Sequence, residues 1–191
     1  MKPIALAAII CATTAGPAFA FDWTGFYAGL GVGGLNGGYS DDRGDSILYR
    51  GATAEGFAGY RIELLMLTLG AEVTASYFLP LDSDGVGLSD DDTTIGKASA
   101  RATAAMEIGP LLPFVSAGVA LAGQKRGGDT VTHPGVVVAA GVDMALTDNL
   151  FARVEASYSV FSTAGADDSM GDYLGKLDDQ TDIKAGLGWR F

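Results

Sequence analysis

The last eleven residues of the chain, 181–191, alternate strictly between two kinds of side chain. From Ile183 on, every second position is apolar, and the positions from 182 between them carry charged residues or glycine. The apolar set is Ile183, Ala185, Leu187, Trp189 and Phe191. A period of two is the signature of a β-strand, whose side chains point alternately to opposite faces. Two aromatic residues end the apolar face, as in a strand that crosses a membrane and contributes to an interfacial aromatic girdle. We therefore expect further strands with the same two faces.

Seven earlier segments show the same alternation. With the last one, the predicted strands are about 24–34, 52–64, 67–79, 95–108, 114–123, 135–145, 150–161 and 181–191. The connections alternate between long polar segments (35–50, 80–94, 124–134 and 162–180) and short turns (65–66, 109–113 and 146–149). An even number of such strands with unequal loops is typical of transmembrane barrels. The sequence predicts an all-β fold, an eight-stranded antiparallel transmembrane β-barrel with up-and-down strand order.

Residues 1–20 have the pattern of a cleaved signal peptide. Lys2 is followed by an apolar stretch over 4–15 and by Ala18-Phe19-Ala20, which matches an A-x-A cleavage site. We expect cleavage after Ala20, which leaves residues 21–191 as the barrel domain. Cys11 is removed with the signal, so the mature chain has no cysteine and must be stabilised by its size or by a membrane.

The mature chain is strongly acidic. Without Lys2 it has 11 Lys and Arg against 23 Asp and Glu, a net charge of −12. This charge argues against a nucleic-acid partner. No stretch after residue 20 is apolar over the roughly 20 residues that a transmembrane helix needs.

Alternation places charged residues on the inward face of nearly every predicted strand and none on the outward face. The predicted interior network comprises Arg61, Glu72, Arg101, Glu107, Asp143, Arg153, Glu155 and Lys184. Glu55, Glu63, Lys97, Asp182 and Arg190 are also assigned inward. A lipocalin has the opposite polarity, with an apolar interior around a ligand. We expect these charges to pair with one another, and a proton or ion path through them is the alternative.

The chain has 28 glycines, and many lie within the predicted strands. Glycine weakens the interior of a soluble sheet. In a narrow barrel, small inward residues leave room for large side chains opposite them. The glycines are therefore expected to face bulky inward residues.

Three features have the form of functional sites. Arg43, Gly44 and Asp45 form an RGD tripeptide in the first long loop, either a chance occurrence or an adhesion loop. Aspartates cluster at 82–92, 167–172 and 178–182 without the spacing of a calcium-binding loop, so a solvated acidic surface and weak divalent binding stay open. The single histidine, His133, is placed in a loop, where we interpret it as a bystander. No catalytic residues, cofactor or metal site are predicted.

Several segments resemble those of the small OmpA-like, opacity-type outer-membrane barrels. They are WTGFYAGLGVGG (23–34), GYRIELLMLTLGAE (59–72), LLPFVSAGVALA (111–122), GVDMALTDNLFARVEASYSVF (141–161) and the terminal GWRF (188–191). The resemblance implies a cell outer-membrane location and no catalytic site. It also implies that Trp189 and Phe191 form the signal read by the barrel-assembly machinery. The chain stops at the barrel, so no peptidoglycan-binding domain is expected.

The sequence thus favours a non-enzymatic barrel that contributes to envelope structure and surface presentation. The termini are expected in the periplasm and the long loops outside, with outer-membrane lipids and lipopolysaccharide as partners of a monomer. The alternatives are a narrow pore for small solutes or ions, a surface adhesin, and an envelope enzyme acting on lipid.

Overall fold

The computed structural model describes residues 22–40, 46–65, 67–80, 94–126, 129–162 and 176–191. The strands are β1 (Gly25–Ser40), β2 (Ser46–Leu64), β3 (Leu67–Pro80), β4 (Thr94–Met106), β5 (Leu111–Arg126), β6 (Asp129–Ala145), β7 (Leu150–Phe161) and β8 (Lys176–Arg190). Each strand pairs antiparallel with the next, and β8 closes the barrel against β1. The predicted eight-stranded up-and-down barrel is confirmed. None of the described residues belongs to a helix that is long and apolar enough to cross a membrane.

The strand register sets the width of the barrel. A path around the barrel that starts at Phe26 and steps from each residue to its paired residue on the next strand returns to β1 at Asn36. The path therefore ends ten residues further along β1 than it began. Such a stagger requires strands tilted by roughly 35–45° to the barrel axis. Eight strands at this tilt enclose an interior that side chains can fill.

The two faces of the strands differ as the alternation predicted. Outward residues such as Leu30, Val73, Val119 and Val154 are more than half exposed, and burial alternates along β7. An apolar outer face of this kind suits a lipid environment, in which a closed barrel pairs every backbone polar group of its spanning strands. Among the strand residues whose side chains are described, Asp179 is the charged exception on an outer face. It lies in the part of β8 that was predicted to be a loop, and it accepts a hydrogen bond from Tyr158.

Several predicted loop boundaries were wrong. β1 runs to Ser40 and β2 begins at Ser46, so much of the predicted loop 35–50 is strand. β5 and β6 likewise take up most of 124–134, and β8 begins at Lys176. Strands that continue past the lipid-facing band keep their ladder hydrogen bonds but no longer need apolar outward residues, so the alternation fades before the strand ends.

Three predictions lie outside the described residues. They are the signal peptide at 1–20, the RGD tripeptide at 43–45, and the aspartates at 82–92 and 167–172. We call the end that carries the connections 65–66, 107–110 and 146–149 the short-turn end of the barrel.

Candidate functional site: the barrel interior

Among the described residues, five cationic and five anionic side chains are buried inside the barrel. The cations are Arg61, Lys97, Arg101, Arg153 and Lys184, and the anions are Glu55, Glu72, Asp143, Glu155 and Asp182. These ten charges cancel. A charge taken out of water is costly unless partners surround it, so the pairing of these ten groups decides whether the interior is stable.

Arg153 is the hub of the network nearest the short-turn end. Its Nε donates to Asp143 Oδ1 at 2.8 Å and its Nη2 to Asp143 Oδ2 at 3.0 Å, a two-point contact that fixes both groups. Arg153 Nη1 donates to Glu72 Oε2 at 2.6 Å. Arg61 Nη2 also reaches Asp143, at 2.6 Å, and the Tyr27 hydroxyl donates to Glu72 at 2.7 Å.

Arg101 extends the network towards the other end of the barrel. It donates to Glu72 and, through two nitrogens at 2.8 and 3.0 Å, to Glu155. Lys184 then bridges Glu155, at 3.4 Å, and Glu55, at 2.5 Å. The ion pairs therefore run without a break from Arg61 to Glu55, and this connected set includes seven of the eight residues proposed from the sequence.

Lys97 and Asp182 form a second, separate ion pair. Ser157 Oγ donates to Asp182 at 3.3 Å, and Lys97 Nζ lies 3.5 Å from Ser159 Oγ. The two serines thus provide further hydrogen bonds to the charged groups, in addition to the ion pair itself. Each buried carboxylate of the described interior thus has a cationic partner.

The inward assignment of Glu107 was wrong. β4 ends at Met106, so Glu107 lies in the turn that follows and is exposed. Partial desolvation, together with the carboxylates of Glu63 and Asp22, raises the pKa of Glu107. Glu63 follows the inward register but lies exposed at the barrel rim, where it accepts a hydrogen bond from the Trp23 backbone N–H at 2.8 Å.

A layer of aromatic side chains, which was not predicted from the sequence, lies inside the barrel. Trp23, Tyr27, Phe57, Phe114 and Phe151 are buried in one cluster near the short-turn end. The Arg61 guanidinium lies 4.2 Å from the centre of the Tyr27 ring. The Arg153 guanidinium lies 4.2 Å from the Phe57 ring and 4.8 Å from the Phe114 ring. Cation–π attraction supplements the ion pairs here. These aromatic residues could have been found from the alternation, because they occupy the same inward-facing positions as the charged residues do.

The aromatic rings lie against glycines of neighbouring strands, as the glycine content led us to expect. A β-carbon at Gly59 would lie 2.6 Å from Tyr27 Cζ, and one at Gly141 would lie 2.7 Å from Phe114 Cζ. Gly29 stands in the same relation to Phe57, and Gly188 to Phe151. These contacts are too close for any residue larger than glycine. At Gly188 only the ring of Phe151 would have to move, whereas at Gly29, Gly59 and Gly141 a backbone carbonyl oxygen of a neighbouring strand is also too close to the added carbon.

The chain termini meet at the short-turn end. Trp23, which precedes β1, packs edge-on against Phe151 with ring centres 6.0 Å apart and closes this end of the interior. Arg190 Nη2 donates to the carbonyl of Asp148 at 2.7 Å. Phe191 N–H donates to the carbonyl of Phe26 at 2.9 Å and extends the β1–β8 pairing. Trp189 and Phe191 are exposed on the outer face.

His133 lies in β6 and is buried, so its assignment to a loop was wrong. Within the described ranges no hydrogen bond joins it to a serine or a carboxylate, as a catalytic triad would require. Across the same ranges no three His, Cys, Asp or Glu side chains come together as metal ligands.

Residues 4–191 match the model of the outer membrane protein β-barrel domain. The 25 kDa outer-membrane immunogenic protein of Brucella canis is 30% identical over 177 residues, which cover 90% of this chain and 80% of that protein. The 22 kDa outer membrane protein of Rhizobium leguminosarum bv. viciae is 28% identical, with 88% of this chain and 78% of the relative covered.

Solved structures share the fold at low sequence identity. Neisserial surface protein A superposes with a TM-score of 0.55 at 18% identity, covering 88% of this chain and 98% of its own. The N-terminal β-barrel domain of Pseudomonas aeruginosa OprF gives a TM-score of 0.51 at 15% identity, with 85% and 97% covered. The family match covers nearly the whole chain, and the closed eight-stranded barrel agrees with it. The chain belongs to the outer membrane protein β-barrel domain family.

Proposed function

We propose that this outer-membrane barrel is a closed, non-enzymatic protein that contributes to envelope structure and presents its long loops at the cell surface. The charge balance of the described interior carries the proposal: five buried cations pair with five buried carboxylates there. A wide aqueous channel does not need such pairing, because water solvates its wall. A filled interior makes the barrel a poor candidate for a solute pore.

The proposal includes an orientation in the membrane, which is supported by the resemblance to this family. On this proposal the signal peptide is cleaved after Ala20, the short-turn end faces the periplasm, and the monomeric barrel contacts outer-membrane lipids and lipopolysaccharide. The barrel-assembly machinery reads Trp189 and Phe191. The name of the Brucella canis relative, an outer-membrane immunogenic protein, supports surface presentation.

A deletion strain tests the structural role. Loss of the gene is expected to sensitise cells to sodium dodecyl sulfate with EDTA and to a large antibiotic such as vancomycin, with both effects reversed by the wild-type gene. If deletion instead slows the uptake of small solutes and leaves detergent resistance unchanged, the pore alternative replaces this proposal.

Single cysteines test the orientation, since the mature chain has none of its own. Thr132 is exposed near the loop end of β6, and Leu146 is exposed in the β6–β7 turn at the short-turn end. A membrane-impermeant maleimide on intact cells is expected to label Thr132→Cys and not Leu146→Cys. Labelling of Leu146→Cys alone would mean that the barrel is inserted the other way.

A further inference from the structure

The β2–β3 turn at the short-turn end is unusually apolar. Leu64 ends β2, Leu65 follows it, and Leu67 begins β3. Leu65 is fully exposed, and its φ of 62° is in the left-handed region that leucine rarely adopts. Tight hairpin turns normally use Asn, Asp or Gly for that conformation. Turn geometry therefore does not account for leucine at this position.

Membrane lipid does not account for it either. Phe26 pairs with Tyr60, and their rings lie 4.7 Å apart on the outer face, where they form part of the aromatic girdle near the short-turn end. Leu64 lies four residues beyond Tyr60, which is about 13 Å further along the strand. An aromatic girdle marks the membrane interface. The Leu65 turn consequently projects past the hydrocarbon region.

The turn forms one side of a surface groove. Leu65, Met106 and Ile108 line it together with the side chains of Glu63 and Glu107, between the β2–β3 and β4–β5 turns. Met106 and Ile108 are both about half exposed. The groove therefore combines three apolar side chains with two carboxylates.

In the part of the chain that the structure describes, the carboxylates of the groove lack cationic partners. Neither Glu63 nor Glu107 is within ion-pair distance of a Lys or Arg among the described residues, in contrast to the five interior carboxylates. Their mutual repulsion contributes to the raised pKa of Glu107. An apolar groove with uncompensated negative charge complements a segment that carries apolar and cationic side chains on one face. Anionic lipid headgroups would be repelled.

We propose that this groove binds a basic, amphipathic segment of another protein. Apolar side chains of the segment would contact Leu65, Met106 and Ile108, while its Lys or Arg side chains would pair with Glu63 and Glu107. That the partner is periplasmic rests on the orientation proposed above. The binding chemistry does not depend on that orientation.

The test uses the purified barrel, isotope-labelled and folded in phosphatidylcholine nanodiscs. The probe is the capped peptide Lys-Leu-Leu-Lys-Leu-Lys, followed by NMR. Saturable shifts are expected at the amides of Leu65 and Ile108 and not at Thr147 in the β6–β7 turn. The double variant Glu63→Gln/Glu107→Gln should bind about two- to tenfold more weakly, since exposed ion pairs are individually modest. Asp148→Asn, a change of an exposed carboxylate in the other turn, should bind like the wild type.

Three results would overturn the proposal. Equal shifts at all turns would mean that the peptide only partitions into lipid, and equal affinity of the double variant would remove the role of the carboxylates. Shifts at Leu65 on adding phosphatidylglycerol to the nanodiscs, with none from the peptide, would make the groove a lipid contact. Because the titration uses purified protein, its failure leaves the proposed envelope function untouched, and the labelling experiment above tests the orientation separately.

Discussion

Replacing Lys184 by methionine should destabilise the barrel strongly, because it leaves one buried carboxylate without a cation. Glu55 is paired only with Lys184, at 2.5 Å, among the described residues. Glu155 is also near Lys184, but it keeps its two hydrogen bonds from Arg101. Methionine preserves most of the length and packing of the lysine stem, so the change isolates the loss of charge.

The size of the effect has an upper limit set by protonation. Removing one partner of a buried ion pair typically costs about 3–5 kcal/mol. A stranded glutamate can instead take up a proton; with an ordinary solution pKa of about 4.3, this costs about 3.7 kcal/mol at pH 7, at 1.36 kcal/mol for each pH unit. Lys184→Met is therefore expected to lower the free energy of unfolding by about 3–4 kcal/mol at pH 7.

Reversible urea unfolding in lipid vesicles, followed by the fluorescence of Trp23 and Trp189, measures this loss. The matched control is Lys184→Met/Glu55→Gln, which removes both charges and should recover stability to within about 1 kcal/mol of the wild type. A loss below about 0.5 kcal/mol for the single variant would mean that water already solvates Glu55. The account of a filled, ion-paired interior would then be refuted.

Three further predictions concern the outer face, the glycines and the terminus. Val119→Arg places a charge in lipid and should cost about 2–4 kcal/mol and impair assembly, while Arg at inward Ser99 should be milder; heat-modifiable gel mobility reports folding, and equal tolerance would contradict the facing. Gly188→Ala should cost about 1–3 kcal/mol in urea unfolding because Phe151 Cε1 lies 2.6 Å from the added carbon, and Phe151→Leu should relieve it. Deleting Phe191 should leave the chain in the periplasm of cells but allow refolding in micelles, and wild-type levels in the outer membrane would argue against an assembly signal.

The strand number and the facing of the strands could be predicted because lipid enforces both. Each outward residue within the lipid-facing band must be apolar, so the outward residues, among them Val119 and Val142, recur with a strict period of two that the sequence displays. The short turns at 65–66 and 146–149 were also placed correctly, since they interrupt that period.

The strand extensions and the aromatic layer could not be predicted in the same way. Outside the lipid, the outward residues of a strand need not be apolar, so the sequence no longer alternates between apolar and polar residues. The alternation therefore could not indicate that His133 lies in a strand. The stacking of Arg153 on Phe57 and Phe114 depends on the register of three strands, β7, β2 and β5, which alternation within one strand does not contain. Glu107 was misplaced because alternation was continued past the last residue of β4.

Single-channel recording in planar lipid bilayers tests the central claim, that side chains fill this barrel from Trp23 to the Lys97–Asp182 pair. The purified, refolded wild-type protein is expected to insert without producing discrete current steps above the bare-membrane baseline. Insertion is checked independently by protease protection of the reconstituted barrel. Stable, reproducible conductance steps from correctly folded protein would contradict the account and establish a continuous aqueous path through the interior.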